Sequence, residues 1–418
     1  MSKALNSTVK RLNNMKGTVI NMEQLAIFGG TPVRKTKIFY GRQCIEQDDI
    51  EAVVATLTSD LITCGPKVEE LEQKLCEITG AKYAVVVSNG TAALHLAAMT
   101  AGFREGDEVI VSSITFAASA NCVLYCGAKP VFADINPETY NISPVSIRKL
   151  ITPRTKGIVA VDFTGQAAEL DEIRAICKEH NLILIEDAAH AIGTKYKGQP
   201  VGSIADMTCF SFHPVKTVTG GEGGAITTND EQFYRRLMRL RTHGITRNQE
   251  EMVHPTDASW YNEQVELGYN YRMTDFQAAL LVSQLRKLPA FSARRRAIVE
   301  RYNEVFAKMP EIIVQKEIPE SDTTRHLYIL RLNPERLSCD RRQFFDALYA
   351  ENTCPQVHYL PVYYHSYYEK LGYQKGICPN AEKFYEEVMS IPLYYSLTDE
   401  DVEDVIRAVK KVVAYYRR

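Results

Sequence analysis

Between residues 82 and 228 the chain alternates short apolar runs with helical segments, and this rhythm restricts the fold more than any other feature of it. The runs fall at 82–87, 108–112, 130–133, 157–161, 182–186, 207–212 and 224–228. Segments this apolar read as strands buried on both faces of a largely parallel sheet. The stretches between them, among them 91–101, 116–126 and 170–180, have the pattern of the crossover helices that parallel strands require. An open sheet of this kind presents its ligand sites at the carboxyl ends of its strands.

Beyond about residue 274 the texture changes to long charged helices, beginning with 274–287 and a basic stretch at Arg294, Arg295 and Arg296. A strand at 328–332, a helix at 341–349 and a last helix from Asp399 complete a compact unit. The expected organisation is an N-terminal extension over 1–38, with 1–22 open to disorder, a large domain over 39–285 and a small C-terminal α/β domain over 286–418. Met15 and Met22 are alternative starts. A length of 418 residues, 45% of them hydrophobic and 24% charged, suits such a pair of domains.

A net charge of −2 and a pI near 6.5 give no electrostatic reason to expect nucleic acid or an anionic membrane as partner. An anionic ligand must therefore be caught locally. No apolar run approaches the roughly 20 residues of a membrane span, which makes the cytoplasm the expected compartment. The ten cysteines are scattered, with no CxxC pair and no zinc-type spacing, as in a reduced compartment and with no metal site.

Three local features carry chemistry. In Ser211-Phe-His-Pro-Val-Lys216, followed by Gly220-Gly-Glu-Gly-Gly224, one lysine stands between an apolar strand and a glycine-rich turn. A lysine beside glycines is by itself an ordinary loop residue. Asp187 ends the strand of Ile183-Leu-Ile-Glu-Asp187, where a carboxylate either caps a helix or faces a ligand over the sheet edge. Ser88-Asn-Gly-Thr91 joins a strand to a helix N-terminus, whose free N–H groups at Thr91 and Ala92 suit a phosphate. Read alone, that turn is only a connection with Thr91 as the cap. Together the three suggest pyridoxal phosphate, anchored on Lys216 with Asp187 beside the ring nitrogen.

The chain resembles the fold-type I, pyridoxal-phosphate-dependent sugar-nucleotide aminotransferases of the DegT/DnrJ type. The resemblance runs from about Phe39 to the C-terminus. It is carried by Gly65-Pro-Lys-Val68, Ser88-Asn-Gly-Thr-Ala-Ala-Leu94, Thr115-Phe-Ala-Ala-Ser119, Glu186-Asp-Ala-Ala-His190, Ser211-Phe-His-Pro-Val-Lys216, Gly221-Glu-Gly-Gly224 and Gly268-Tyr-Asn-Tyr-Arg-Met273. It implies an aspartate-aminotransferase-like fold, with a mixed, mostly parallel sheet flanked by helices and a smaller C-terminal α/β domain.

It also implies site roles. Lys216 holds the cofactor as a Schiff base and shuttles the proton, and Asp187 pairs with the ring nitrogen. Phe116 stacks on the ring. Thr91, Ala92 and Ser211 hold the phosphate, and Asn270 reaches it from the other subunit of a homodimer with shared active sites. His190 stands where most of the family has glutamine, and its contact with the ring oxygen stays open.

Within the family, Tyr40-Gly-Arg-Gln43, Val161-Asp-Phe-Thr-Gly-Gln166, His190, His213-Pro-Val-Lys216 and the segment 357–365 resemble the branch that makes UDP-4-amino-4,6-dideoxy-N-acetyl-β-L-altrosamine on the way to pseudaminic acid. The implied substrates are L-glutamate and a UDP-linked 4-keto sugar. Candidate sugar-nucleotide contacts are His213, Arg241, His243, Arg272, His326, Tyr328 and the tyrosines of 359–364. Arg34 is a weaker candidate. The open alternatives are another 4-keto acceptor, such as the bacillosamine precursor or a dTDP- or GDP-linked 4-keto-6-deoxyhexose, and a non-catalytic regulator that binds the cofactor.

Overall fold

A computed structural model describes residues 23–418 of the chain. The expectation concerning residues 1–22 lies outside the described residues. Seven strands form the main sheet: β1 (Tyr83–Val87), β2 (Glu108–Ser112), β3 (Lys129–Ala133), β4 (Thr155–Val161), β5 (Ile183–Asp187), β6 (Met207–Ser211) and β7 (Gly224–Thr228). Their spatial order is β1-β7-β6-β5-β4-β2-β3. Only β7 runs antiparallel to its neighbours β1 and β6; the remaining pairs are parallel.

Alternate residues of each strand enter opposite layers of core. Ala84 and Val86 pack into one apolar cluster with Phe210 and Leu281, while Val85 and Val87 join the other with Ile185 and Leu240. Burial on both faces explains why the strands read as unbroken apolar runs. Helices α3 (Gly90–Thr100), α4 (Ala118–Tyr125) and α5 (Leu170–His180) cross between strands of this sheet, α1 (Gln47–Leu57) and α2 (Pro66–Thr79) precede it, and α6 (Glu231–Arg241) follows it.

Helix α7 (Asp275–Phe306) is 32 residues long and runs unbroken through residue 285, although Pro289 lies inside it. A proline deletes one helical hydrogen bond and ordinarily kinks or ends a helix. Here packing on both sides of the proline sustains it. Ala278, Leu281 and Leu285 sit in the main core, whereas Ile298, Tyr302 and Phe306 belong to the C-terminal one. That second core covers the antiparallel sheet of β8 (Ile312–Val314), β9 (Tyr328–Leu332) and β10 (Val388–Ile391), in the order β8-β9-β10, with α8 (Arg341–Ala350) and α9 (Asp399–Tyr416). The segment 25–38 joins it too. Ile38 pairs with Thr353, and Glu351 accepts the amides of Ala26 and Val33 at 2.8 and 2.9 Å.

Among the described residues no helix is long and apolar enough to cross a membrane.

Candidate active site

The carboxyl ends of β1, β5 and β6 lie on one edge of the sheet, and the amino end of the antiparallel β7 falls between β1 and β6. Register fixes this convergence, with Val87 opposite Gly224, Gly224 opposite Ser211, and Cys209 opposite Asp187. Two glycines make the approach possible. A Cβ on Gly90 would lie 2.8 Å from Cβ of Ser211, and one on Gly224 would lie 2.4 Å from the carbonyl oxygen of Asn89. The Ser211 hydroxyl therefore stands against the first turn of α3. That turn carries amides with no intrahelical acceptor and the positive end of the helix dipole.

The capping differs in detail from the sequence reading. Asn89, not Thr91, is the N-cap, and its side chain accepts the Ala92 amide at 2.8 Å. The Ala92 donor is thus already engaged, and Gly90 and Thr91 are left as the amides facing the notch.

Asp187 is only 5% exposed, and burial pushes its carboxyl above the ordinary range. Three groups oppose that push: the Ser119 hydroxyl, donating at 2.6 Å, the Ala189 amide at 3.1 Å, and the charge of Lys216. Lys216 lies in a turn closed by its own amide on the His213 carbonyl at 2.9 Å. Its side chain keeps partial exposure, yet the atoms packed around its ammonium bring the pKa down to about 8 against the pull of Asp187. An amine so tuned is neutral in roughly a tenth to a fifth of molecules near pH 7, far more than an ordinary lysine, and so can serve as a nucleophile or proton carrier.

Aromatic and imidazole rings wall the cleft. Phe116 is 63% exposed, a large ring left uncovered beside Tyr359 at 6.3 Å between centroids. The Tyr359 hydroxyl meets Nε2 of buried His190 at 3.2 Å, and His326 lies against His190 at 4.4 Å between rings. Burial and the charge of Lys216 hold His190 neutral, burial and His190 do the same for His326, and His358 is pushed down to about 3. Nδ1 of His190 and Nδ1 of His326 have no hydrogen-bond partner among the described residues.

Lys216, Asp187, Ser211, Thr91, Phe116, His190 and His326 are thus gathered at one place. Arg241, Arg272, Tyr328 and Arg34, read from the sequence as sugar contacts, are not among them. Arg241 donates to Glu72 at 2.6 Å and to the carbonyl of Val86 at 2.9 Å, a buried pair that ties α6 to α2 and β1. With Arg272 it lines a groove of about 760 Å³ that includes none of the residues gathered around Lys216. The Tyr328 hydroxyl donates to Asn303 at 2.8 Å inside the C-terminal core, so that ring is committed to packing. Arg34 pairs with Asp401 and Asp404 at 2.7 and 2.6 Å. His213 and His243 are exposed, the latter with φ of 60°, and so is Asn270, whose neighbour Tyr271 accepts the Ser88 amide at 2.8 Å.

Sequence reasoning gave no role to Ser119 or to Thr115, which lies in the bend before α4 with its hydroxyl 2.6 Å from that of Ser119, nor to His358. The i, i+4 spacing inside Thr115-Phe-Ala-Ala-Ser119 was the available signal. The residues fit pyridoxal phosphate. An exposed flat ring, a carboxyl raised by burial, a depressed lysine and a helix N-terminus closed by a serine each answer one part of that molecule.

A family model described as the DegT/DnrJ/EryC1/StrS aminotransferase family matches residues 43–410. Among curated relatives, the uncharacterized protein MJ1066 of Methanocaldococcus jannaschii is 42% identical over 90% of this chain and 97% of its own length. The spore coat polysaccharide biosynthesis protein SpsC of Bacillus subtilis is 40% identical, over 90% and 96%. A UDP-4-amino-4,6-dideoxy-N-acetyl-β-L-altrosamine transaminase of Campylobacter jejuni is 38% identical, over 88% and 95%. Of solved structures, the Helicobacter pylori aminotransferase PseC, of pseudaminic acid biosynthesis, superposes with a TM-score of 0.84 at 30% identity, over 91% of this chain and all of that one. The pyridoxal phosphate form of Spr1654 of Streptococcus pneumoniae, a proposed sugar aminotransferase, gives 0.84 at 33% identity, over 91% and 99%.

Proposed function

Because the chain belongs to the DegT/DnrJ/EryC1/StrS family, and is a pyridoxal-phosphate-dependent aminotransferase of nucleotide sugars, we propose its acceptor and the roles of its residues. The acceptor is a UDP-linked 4-keto-6-deoxy-N-acetylhexosamine, aminated at C4 with L-glutamate as donor. The product is UDP-4-amino-4,6-dideoxy-N-acetyl-β-L-altrosamine. The observation that carries the chemistry is the meeting of Lys216, Asp187 and the Ser211-closed helix end on one sheet edge. The printed activity of the Campylobacter relative supports this acceptor.

When bound, pyridoxal phosphate supplies an electrophilic carbon for amines and a conjugated sink for the electrons of a breaking C–H bond. Gly90 and Thr91 amides with the Ser211 hydroxyl hold its phosphate, and Phe116 supports one ring face. Asp187, ionised against the ring-nitrogen proton, keeps that nitrogen cationic. Ser119 orients the carboxylate. Lys216 Nζ takes the proton from the α-carbon of glutamate and, in the return half, delivers one to C4 of the sugar. Neutral His190, held by Tyr359, lends a donor without adding charge.

Asn270, exposed on its own chain, is proposed to reach the phosphate of the neighbouring site in a homodimer. Ile50, Val54 and Leu57 lie exposed along α1, with Leu61 just beyond it, an apolar surface of the kind that a second copy covers.

The test is an acceptor panel with glutamate and mass-spectrometric detection. Amination of the L-arabino 4-keto UDP sugar supports the proposal. The higher identity to SpsC and MJ1066 favours a second reading, the same chemistry on another acceptor. Turnover of only the bacillosamine precursor, or of a dTDP- or GDP-linked 4-keto-6-deoxyhexose, would establish that reading instead.

A further inference from the structure

Behind Asp187 lies a second pair of carboxyl groups that the reaction does not use. Asp162 follows the last residue of β4, and its amide donates to the Asp187 carbonyl at 3.1 Å. In the same register Ala160 pairs with Glu186 and Val161 with Asp187. Asp162 and Glu186 are both wholly buried.

Each has one oxygen satisfied by a donor. Asp162 Oδ1 accepts the Ala168 amide at 2.9 Å, and Glu186 Oε2 accepts the Thr208 hydroxyl at 2.7 Å. The other two oxygens, Asp162 Oδ2 and Glu186 Oε1, meet no donor among the described residues. Yet the two side chains lie within hydrogen-bonding reach of each other. The charges that act on them come from each other and from Asp187, with Lys216 beyond Asp187, and the Gly202 amide is one further polar neighbour of Glu186. Two bare carboxylates cannot both persist in such a place, and a single proton between the two unsatisfied oxygens satisfies both.

We propose that Asp162 and Glu186 share one proton, forming a buried monoanion that ties together the ends of β4, β5 and β6 and positions Asp187. Burial pushes both carboxyls upward, in the direction the shared proton requires. Thr208 extends the tie from Glu186 to β6. The single negative charge adds to that of Asp187 and strengthens the hold on a proton at the ring nitrogen. This last effect rests on the role proposed above for Asp187; the shared proton does not.

The experiment uses the holoenzyme, without sugar. Infrared spectra near neutral pH are compared for wild type, Asp162→Asn, Glu186→Gln and the double variant, and the glutamate half-reaction is timed for each. Either single amide can donate to the remaining carboxylate and preserve the monoanion. Both single variants should lose a carboxylic-acid C=O band that the wild type shows, and should react within about threefold of it. The double variant carries no charge there and should react about tenfold more slowly, the equivalent of one pK unit at the ring nitrogen. Absence of the band from wild type, or its survival in both single variants, would overturn the shared proton. A double variant as fast as wild type would overturn the positioning role. Neither arm depends on which sugar is the acceptor.

Discussion

Ser119 gives its hydroxyl proton to Asp187 Oδ2 at 2.6 Å, and Thr115 lies 2.6 Å behind Ser119. A hydroxyl has one proton to give, so Thr115 donates to Ser119 and the relay ends on the carboxylate. Hydrogen bonds to charged groups contribute about 1.5–3 kcal/mol, and this one opposes the burial that lifts the Asp187 carboxyl. Ser119→Ala should therefore slow the glutamate half-reaction roughly 10- to 100-fold while cofactor stays bound, with Ser119→Thr recovering most of the loss. Asp187→Asn should cost more, because an amide cannot hold a ring-nitrogen proton. Stopped-flow absorbance of the bound cofactor measures both, and an unchanged rate in Asp187→Asn would remove the residue from this role.

Lys216 should govern the pH dependence of cofactor capture. Its pKa lies at about 8, below its ordinary value, so the protonated fraction falls as pH rises through 8. Apoenzyme should take up pyridoxal phosphate with a rate that climbs about tenfold per unit below pH 8 and levels off above it. Lys216→Ala should lose both the covalent chromophore and turnover. Near-normal transamination by that variant would refute the assignment.

Gly90 should be intolerant of a methyl group. The added Cβ would stand 2.8 Å from Cβ of Ser211 and 3.0 Å from its hydroxyl, closer than such atoms approach. Ser211 hangs on the end of β6, which is held by β7, so the helix end must retreat. Gly90→Ala should weaken pyridoxal phosphate binding about 10- to 100-fold, read by equilibrium dialysis, with little change in melting temperature of the apoenzyme.

How much of this was legible beforehand follows the range of the interactions. Strands at residues 108–112 and 224–228 declare themselves because burial on both faces makes each run locally apolar, whatever its partners. Lys216 and Asp187 stood out because strand ends and glycine turns are local signals. Asn89 and Thr91 are both capping types two residues apart, and composition alone does not choose between them. The passage of α7 through Pro289 depends on cores at both of its ends, which no window of sequence contains. Ser119 finds Asp187 68 residues away, so its role needed the register of the sheet.

Arg241, expected as a sugar contact, lies apart from the residues gathered around Lys216, and it offers a separation of stability from binding. Its partner Glu72 lies 169 residues away in sequence, and the two side chains are 11% and 15% exposed. Removing one member of a buried pair leaves the other charge uncompensated, at a cost of about 3–5 kcal/mol when burial is complete and less with this residual exposure. Arg241→Met should thus lower the melting temperature by several degrees, roughly 2–4 °C per kcal/mol for larger domains. Glu72→Gln, which keeps an acceptor for the guanidinium, should lower it less. Because the pair lies outside the residues gathered around Lys216, the Michaelis constant for the sugar nucleotide should stay within about twofold in both variants. Steady-state kinetics beside thermal melts decide the matter: a rise in that constant without a fall in melting temperature would return Arg241 to the substrate.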